Sequence, residues 1–250
     1  MSIRIENICK SFGDKEVLRG IDFHFRGGEV NMIIGGSGGG KTVLVKTIVG
    51  LLRPDKGRVL YETKTGTQDY WKLHAASRRA LHLRIGMLFQ GSALFDSMTV
   101  EENVAFPLHT LAHKTKGEIK ERVNYCLERV QMAGSNPLYP SELSGGMKKR
   151  VGIARAIALE PEFLFCDEPN SGLDPQTAHV IDALIQDITQ LHGMTTVVIT
   201  HDIKSVAHIG DHVLFLYQGK KAWEGSRHQL TENTNVPLQA FLDTSGLFAG

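Results

Sequence analysis

An unbroken apolar run, Val30 to Ile34, feeds into Gly35-Gly36-Ser37-Gly38-Gly39-Gly40-Lys41-Thr42 and then into a helical pattern carried by Val43, Leu44, Thr47 and Ile48. The eight residues match G-x-x-x-x-G-K-[ST] in the strand, turn and helix context that a phosphate-binding loop requires. Glycines let successive backbone N–H groups converge on phosphate oxygens where a Cβ would block approach, and the following helix points the positive end of its dipole at them. Lys41 is then placed to neutralise β and γ oxygens, and the Thr42 hydroxyl to ligate Mg²⁺. The plain alternative, a glycine-rich turn that merely joins strand to helix, leaves the complete motif and its correct flanks unexplained.

The rest of the chain supplies the frame such a loop needs. Residues 1 to 34 read as strands, with Ile21-Asp22-Phe23-His24-Phe25 in strict alternation, as in a half-exposed antiparallel sheet, and Val30 to Ile34 continuous, as in a buried parallel strand. Between about 62 and 84 the pattern weakens into polar and basic residues, including Arg78 and Arg79, before a strand at Ile85 to Phe89. From about 92 to 145 the chain is mostly helical in pattern, with Ile119, Val123, Cys126, Leu127 and Val130 at helical spacing. From Phe163 it alternates strand, helix, strand, helix and strand, the signature of a parallel α/β sheet. Asp174-Pro175 suits a helix start, Asp as cap and Pro in the first turn.

Composition excludes several classes. A chain of 250 residues that is 42% hydrophobic can bury a sizeable core, and one domain with an inserted subdomain fits best. A formal net charge of +1 gives no global attraction to nucleic acid or to an anionic membrane. Cys9, Cys126 and Cys166 form neither a close-spaced metal pair nor a disulfide framework, which points to a reducing compartment. No signal peptide is read at the start, and apolar runs such as Val213 to Leu216 fall far short of the ~20 residues of a spanning helix. The chain is not expected to cross a membrane.

Two further segments carry chemistry. Leu164-Phe165-Cys166-Asp167-Glu168 is an apolar strand ending in two carboxylates, at the sheet edge where a phosphate loop also lies. There Asp167 would hold Mg²⁺, and Glu168 would orient and polarise an attacking water as general base. A strand-end acid pair by itself is more often a solvated terminus; its place after a phosphate loop gives it weight. Leu143-Ser144-Gly145-Gly146-Met147-Lys148-Lys149-Arg150 opens an amphipathic helix through Val151, Ile153, Ala154, Ile157 and Ala158. Serine capping an ordinary helix would account for that segment alone.

The order of phosphate loop, Gln90, L-S-G-G segment, acid pair and His201 resembles the ABC ATPase family over roughly residues 2 to 230. The resemblance implies an α/β fold of the P-loop NTPase, ABC ATPase type: a mainly parallel sheet core with an antiparallel β subdomain and an inserted α-helical subdomain at about 92–158. The nucleotide-binding domain would span 2–235, and 236–250 would be a tail. It also implies ATP and Mg²⁺ as cofactors. Gly35, Gly36, Ser37, Gly38, Gly39, Gly40, Lys41, Thr42 and Val43 would bind nucleotide, with Thr42, Gln90 and Asp167 on Mg²⁺. Phe12 stands where the family stacks an aromatic on adenine, although it could also be a core residue. Gln90 looks like the Q-loop glutamine that touches Mg²⁺ and the attacking water, and His201 like the switch histidine on the γ-phosphate. With Glu168, these form the implied catalytic set. Ser144, Gly145 and Gly146 would meet nucleotide bound to a second copy of the chain, and Asp174 would lie at that dimer seam.

Within the family, Leu88 to Val104 and Leu143 to Val151 are similar to the ATPases of Mla-type systems. Those systems move lipids between the inner and outer membranes of Gram-negative bacteria alongside an integral permease and an MCE-domain lipid-binding protein. The resemblance thus implies a homodimer, a permease, an MCE-domain partner, no nucleic acid, and a location on the cytoplasmic face of the inner membrane. Met147, Gly36, Val43 and Asn170 depart from the commonest family pattern, and none removes a catalytic group. The rival readings are an importer ATPase for small solutes such as amino acids, a soluble ABC ATPase of DNA repair or translation, and a nucleotide kinase. The apolar stretch Val236 to Leu242 either packs back on the domain or reaches a neighbouring subunit or accessory protein.

Overall fold

The strand patterns of the first 34 residues separate into two sheets in the computed structural model, which describes residues 1–112, 114–230 and 232–244. β1 (Ser2–Phe12) and β2 (Lys15–Phe25) form a hairpin; β3 (Val30–Ile34) leaves it for a second sheet and leads into α1 (Lys41–Ile48). β4 (Lys56–Thr63) and β5 (Gly66–Asp69) return to the hairpin and complete a four-stranded antiparallel sheet in the order β2-β1-β4-β5. A single-turn helix (Tyr70–Lys72), α2 (Ala75–His82) and β6 (Ile85–Leu88) follow.

The helical insert comprises α3 (Val100–Leu111), α4 (Lys116–Arg129) and α5 (Gly145–Ile157). Thr99 with Glu102 and Thr115 with Glu118 start the first two by reciprocal capping of N–H groups. β7 (Phe163–Asp167), α6 (Pro175–His192), β8 (Thr195–Ile199), α7 (Ile203–Ile209), β9 (His212–Tyr217) and β10 (Lys220–Gly225) then complete a six-stranded sheet, β10-β9-β3-β8-β7-β6. It is parallel except for the last hairpin. The chain thus has the α/β architecture expected from its sequence.

Every residue of β3, β7 and β8 is buried, because the sheet is covered on both faces. Ile33, Phe163, Phe165, Val197 and Leu214 face one core with α1 and the antiparallel sheet. Met32, Ile34, Leu164, Cys166 and Phe215 face the other, with the helical insert, α6 and α7. This two-sided burial is why these strands read as continuous apolar runs.

The stretch between 62 and 84 is organised around Tyr70, which is fully buried and whose hydroxyl lies 2.7 Å from His82 Nε2. The Arg78 guanidinium sits 5.3 Å from the Tyr70 ring centre and 5.7 Å from that of Trp71. α2 buries only Leu81, so it shows almost no apolar period.

The tail forms α8 (Val236–Asp243), capped by Asn235. Leu238 and Leu242 are buried in the core of the chain itself, and the Phe241 ring lies tilted against Phe215 with the ring centres 5.4 Å apart. Of the two readings of that stretch, packing back on the domain describes these residues; 245–250 lie outside the described residues. Among the described residues no helix is long and apolar enough to cross a membrane.

Candidate functional site

The registers of the parallel sheet bring distant motifs to one edge. Ile33 pairs with Ile199, Ile199 with Asp167, and Cys166 with Leu88. The segments just beyond these pairs, 35–40, 200–201, 168 and 89–90, therefore leave the carboxyl ends of adjacent strands side by side. This is where ligands of open α/β sheets bind.

The glycine loop follows β3. Gly35 has φ 144° and Gly40 φ 97°, conformations that disfavour any side chain. A Cβ on Gly35 would also run into the Leu216 carbonyl, and one on Gly40 would lie 2.9 Å from Leu18 Cδ2. Gly40 caps α1 without a side chain, so the first N–H groups of the helix are left for an anion. Lys41 is 8% exposed, and its Nζ donates to the carbonyls of Gly35 at 2.7 Å and Gly36 at 3.1 Å. Burial pulls the ammonium pKa down, while the charges of Glu168 and Asp167 push it back up. The amine thus rests on the loop it serves, facing the acid pair. Thr42, next to it, is exposed and Val43 half-buried.

Asp167 ends β7 and is buried. Burial raises its pKa, the adjacent Glu168 adds to this, and Lys46, Lys41 and Lys149 oppose it. A cation beside it would hold it ionised. Glu168 turns the chain sharply with φ 49°, its N–H donating to the Ile199 carbonyl at 2.9 Å. His201 Nδ1 lies 3.0 Å from Glu168 Oε1 and 2.9 Å from Oε2. The expected base and the expected switch histidine are therefore in direct contact.

Gly36, Ser37, Glu168, His201 and the turn at 170–173 line one cleft of about 590 Å³, together with Phe241 and Thr244 of the tail. Other expected residues stand outside it. Phe12 ends β1 half-exposed, with Lys10 Nζ 5.6 Å from its ring centre, which removes the core alternative. Gln90 is exposed beyond β6. Ser144 caps α5, accepting from Met147 N at 3.3 Å, and is exposed, as is Gly145; Gly146 is packed against Thr177. Asp174 caps α6, its Oδ1 accepting from Gln176 N and Thr177 N at 3.0 Å each. α5 thus begins at two exposed residues, Ser144 and Gly145, neither of which is among the residues lining that cleft.

Sequence reasoning missed three residues. Lys149 is 4% exposed and its Nζ donates to the Glu168 carbonyl at 3.2 Å. Burial lowers its pKa, and Cys166, Asp167 and Glu168 pull the other way. Arg155 donates to the carbonyls of Ser92 and Ala93, just after Gln90. Asn170 donates from Nδ2 to Asp182 Oδ1 at 2.7 Å and to Ser205 Oγ at 2.8 Å, tying the turn after Glu168 to α6 and α7. The signal for Lys149 was its helical phase, three residues after Gly146 and four before Ile153, on the buried face.

A phosphate loop, a strand-end acid pair with a histidine on its base, and an L-S-G-G helix define a nucleotide-hydrolysing cassette. The chain belongs to the ABC transporter family, whose model matches residues 18–171, more than half of its length. It is 35% identical to the intermembrane phospholipid transport system ATP-binding protein MlaF of Haemophilus influenzae, over 96% of this chain and 89% of that one. It is 44% identical to the methionine import ATP-binding protein MetN of Bordetella pertussis, over 91% of this chain and 63% of that one. Its fold superimposes with a TM-score of 0.80, at 28% identity, on the dimeric post-hydrolysis cassette MJ0796 bound to ADP and Pi, covering 90% of this chain and 98% of that one. The chain is thus the ATP-binding and ATP-hydrolysing part of an ABC transporter.

Proposed function

We propose that two copies of this chain close head to tail around two ATP molecules and drive a membrane permease that moves phospholipid between membranes. The observation that carries the two-chain reading is the exposed Ser144 end of α5: its amides and hydroxyl complete a phosphate site only if they face the glycine loop of another copy. The dimeric state of the MJ0796 cassette supports it.

In this arrangement the glycine amides and Lys41 grip the β and γ phosphates from one protomer, and Ser144, Gly145 and Gly146 grip the γ-phosphate from the other. Phe12 offers its exposed face to adenine. Glu168 takes the proton of the attacking water, and His201 holds the Glu168 carboxylate until the γ-phosphate draws the imidazole away. Asp174 fixes the start of α6 at the seam. The available donors, the Asp167 carboxylate, the Thr42 hydroxyl and the Gln90 amide oxygen, are all hard oxygens. No cluster of three His, Cys, Asp or Glu residues able to hold a metal occurs among the described residues. That set, with its single carboxylate, suits Mg²⁺, which needs only one or two protein carboxylates beside substrate phosphates and would supply charge neutralisation there.

A groove of about 460 Å³ beside the Gln90 segment is lined by Phe89, Phe95, Phe106, Pro107 and Leu111. All four larger side chains, Phe89, Phe95, Phe106 and Leu111, are more than a third exposed, which fits a permease segment that would feel motion of this segment. For cargo, the phospholipid-transport relative favours lipid, together with the similarity of Leu88 to Val104 and Leu143 to Val151 to Mla-type ATPases. The second reading, small-solute import, draws on the methionine-import relative. Isolating the complex from detergent-solubilised membranes decides between them. A permease with an MCE-domain protein and bound phospholipid is the expected result; a permease with a solute-binding protein and lipid-independent, methionine-stimulated turnover would replace it.

Deleting 236–250 is expected to weaken ATP-dependent dimerisation, because α8 walls the cleft beside the glycine loop. It also uncovers the core where Leu238 and Leu242 pack, lowering the melting temperature by several degrees. Gel filtration with ATP and a melting curve check both effects. An unchanged dimer fraction and turnover would remove the tail from the seam.

A further inference from the structure

Three residues of the two catalytic loops sit in the left-handed region without being glycine: Glu168 at φ 49°, Ser92 at φ 67° and Ala93 at φ 46°. Such backbone persists only where its surroundings hold it. In each case the carbonyl of the strained residue accepts from a cation on the same helix, α5. Lys149 Nζ reaches the Glu168 carbonyl at 3.2 Å; Arg155 Nη2 reaches Ser92 at 2.7 Å and Nη1 reaches Ala93 at 2.8 Å. Lys149 is buried, and among the described residues the hydrogen-bond acceptor of its Nζ is this carbonyl.

The geometry points to Lys149 as a positioning residue that sets the backbone of Glu168, and through it the aim of the base, from the helix whose first turn meets the nucleotide of the opposite protomer. The inference rests on the two-chain reading proposed above. α5 is a single helix from Gly145 to Ile157, so a displacement of its Ser144 end is transmitted along its axis. Lys149 stands about 1.4 turns from Ser144, and Arg155 about 1.7 turns further on. The same helix therefore answers to phosphate bound across the seam and holds both the base and the segment carrying Gln90 in its own protomer. A carbonyl fixed by an ammonium in a poorly solvated place keeps the Glu168 ψ, and with it the carboxylate position, within narrow bounds. Small errors of position are costly for such a group, because a shift of about 1 Å at a reacting centre removes roughly 10²-fold of rate.

The test is Lys149→Met, which keeps the stem volume and removes the donor, beside Lys149→Gln, which keeps an N–H donor. Expected for Lys149→Met is a kcat lower by about 10²-fold with KM for ATP within about twofold and an ATP-bound dimer fraction at least as large as the parent's; Lys149→Gln should recover at least about tenfold of that loss. Parental kcat in Lys149→Met would overturn the inference. So would equal impairment of both variants, or a loss of turnover that merely follows a lower melting temperature at the assay temperature. The dimer fraction, measured separately by gel filtration of the unchanged protein with ATP, reports on the two-chain reading, so failure of one is not mistaken for failure of the other.

Discussion

Glu168→Gln protein is expected to bind ATP as the parent does, to accumulate as an ATP-bound dimer, and to turn over at least about 10²-fold more slowly. The substitution keeps the shape of the side chain and removes only its capacity to accept a proton. Glu168 lines the cleft beside Gly36 and Ser37 and touches His201, but it does not hold the glycine loop, so affinity for nucleotide should survive. Its backbone carbonyl still accepts from Lys149, and its N–H still meets Ile199, so the strained turn is unaltered. Because hydrolysis is the step that loosens the seam, blocking it should leave protomers locked, visible as a doubled mass in ATP but not in ADP. Retained turnover would remove Glu168 from the role of base.

Lys41→Ala is expected to fail earlier, at binding. The Lys41 ammonium is the one charge that the glycine loop itself supplies to phosphate, and it already lies against the carbonyls of Gly35 and Gly36. Loss of a charge-assisted hydrogen bond of about 1.5–3 kcal/mol corresponds to roughly 10- to 10²-fold weaker ATP binding, while adenosine, which has no phosphate, should bind as before. The substitution also removes one of the cations whose charge acts on Asp167 and Glu168. Calorimetry with ATP and adenosine separates a phosphate effect from a general loss of fold. Equal weakening for both ligands would assign Lys41 to structure alone.

What the sequence allowed and what it hid have physical reasons. The buried strands β3, β7 and β8 were legible because burial on both faces demands unbroken apolar runs. The glycine loop was legible because its backbone geometry tolerates almost nothing else at Gly35 and Gly40. The stretch around Tyr70 was not, because one buried aromatic and its partners His82 and Arg78 carry the order there, and no period of two or of 3.6 results. Within the site, the contact between Glu168 and His201 lies between residues 33 positions apart and follows from strand register rather than from any local pattern. Lys149 was hidden for a different reason. In Lys148-Lys149-Arg150 it reads as one more basic residue on a solvated face, and only the phase of α5 turns it inward to the Glu168 carbonyl. The tail was ambiguous because Leu238, Phe241 and Leu242 would look the same packing on their own core or on another chain; here they pack on their own.

The central claim is that neither protomer owns a complete phosphate site, and Ser144 is the residue that tests it most directly. It is exposed and caps α5, so Ser144→Arg costs the chain about 1 kcal/mol of capping and leaves Lys41, Glu168 and His201 in place. The measurement is the turnover of Ser144→Arg protein together with its molar mass by light scattering in saturating ATP. The shared site predicts a monomer that binds ATP and does not hydrolyse it; parental turnover by a strict monomer would contradict it.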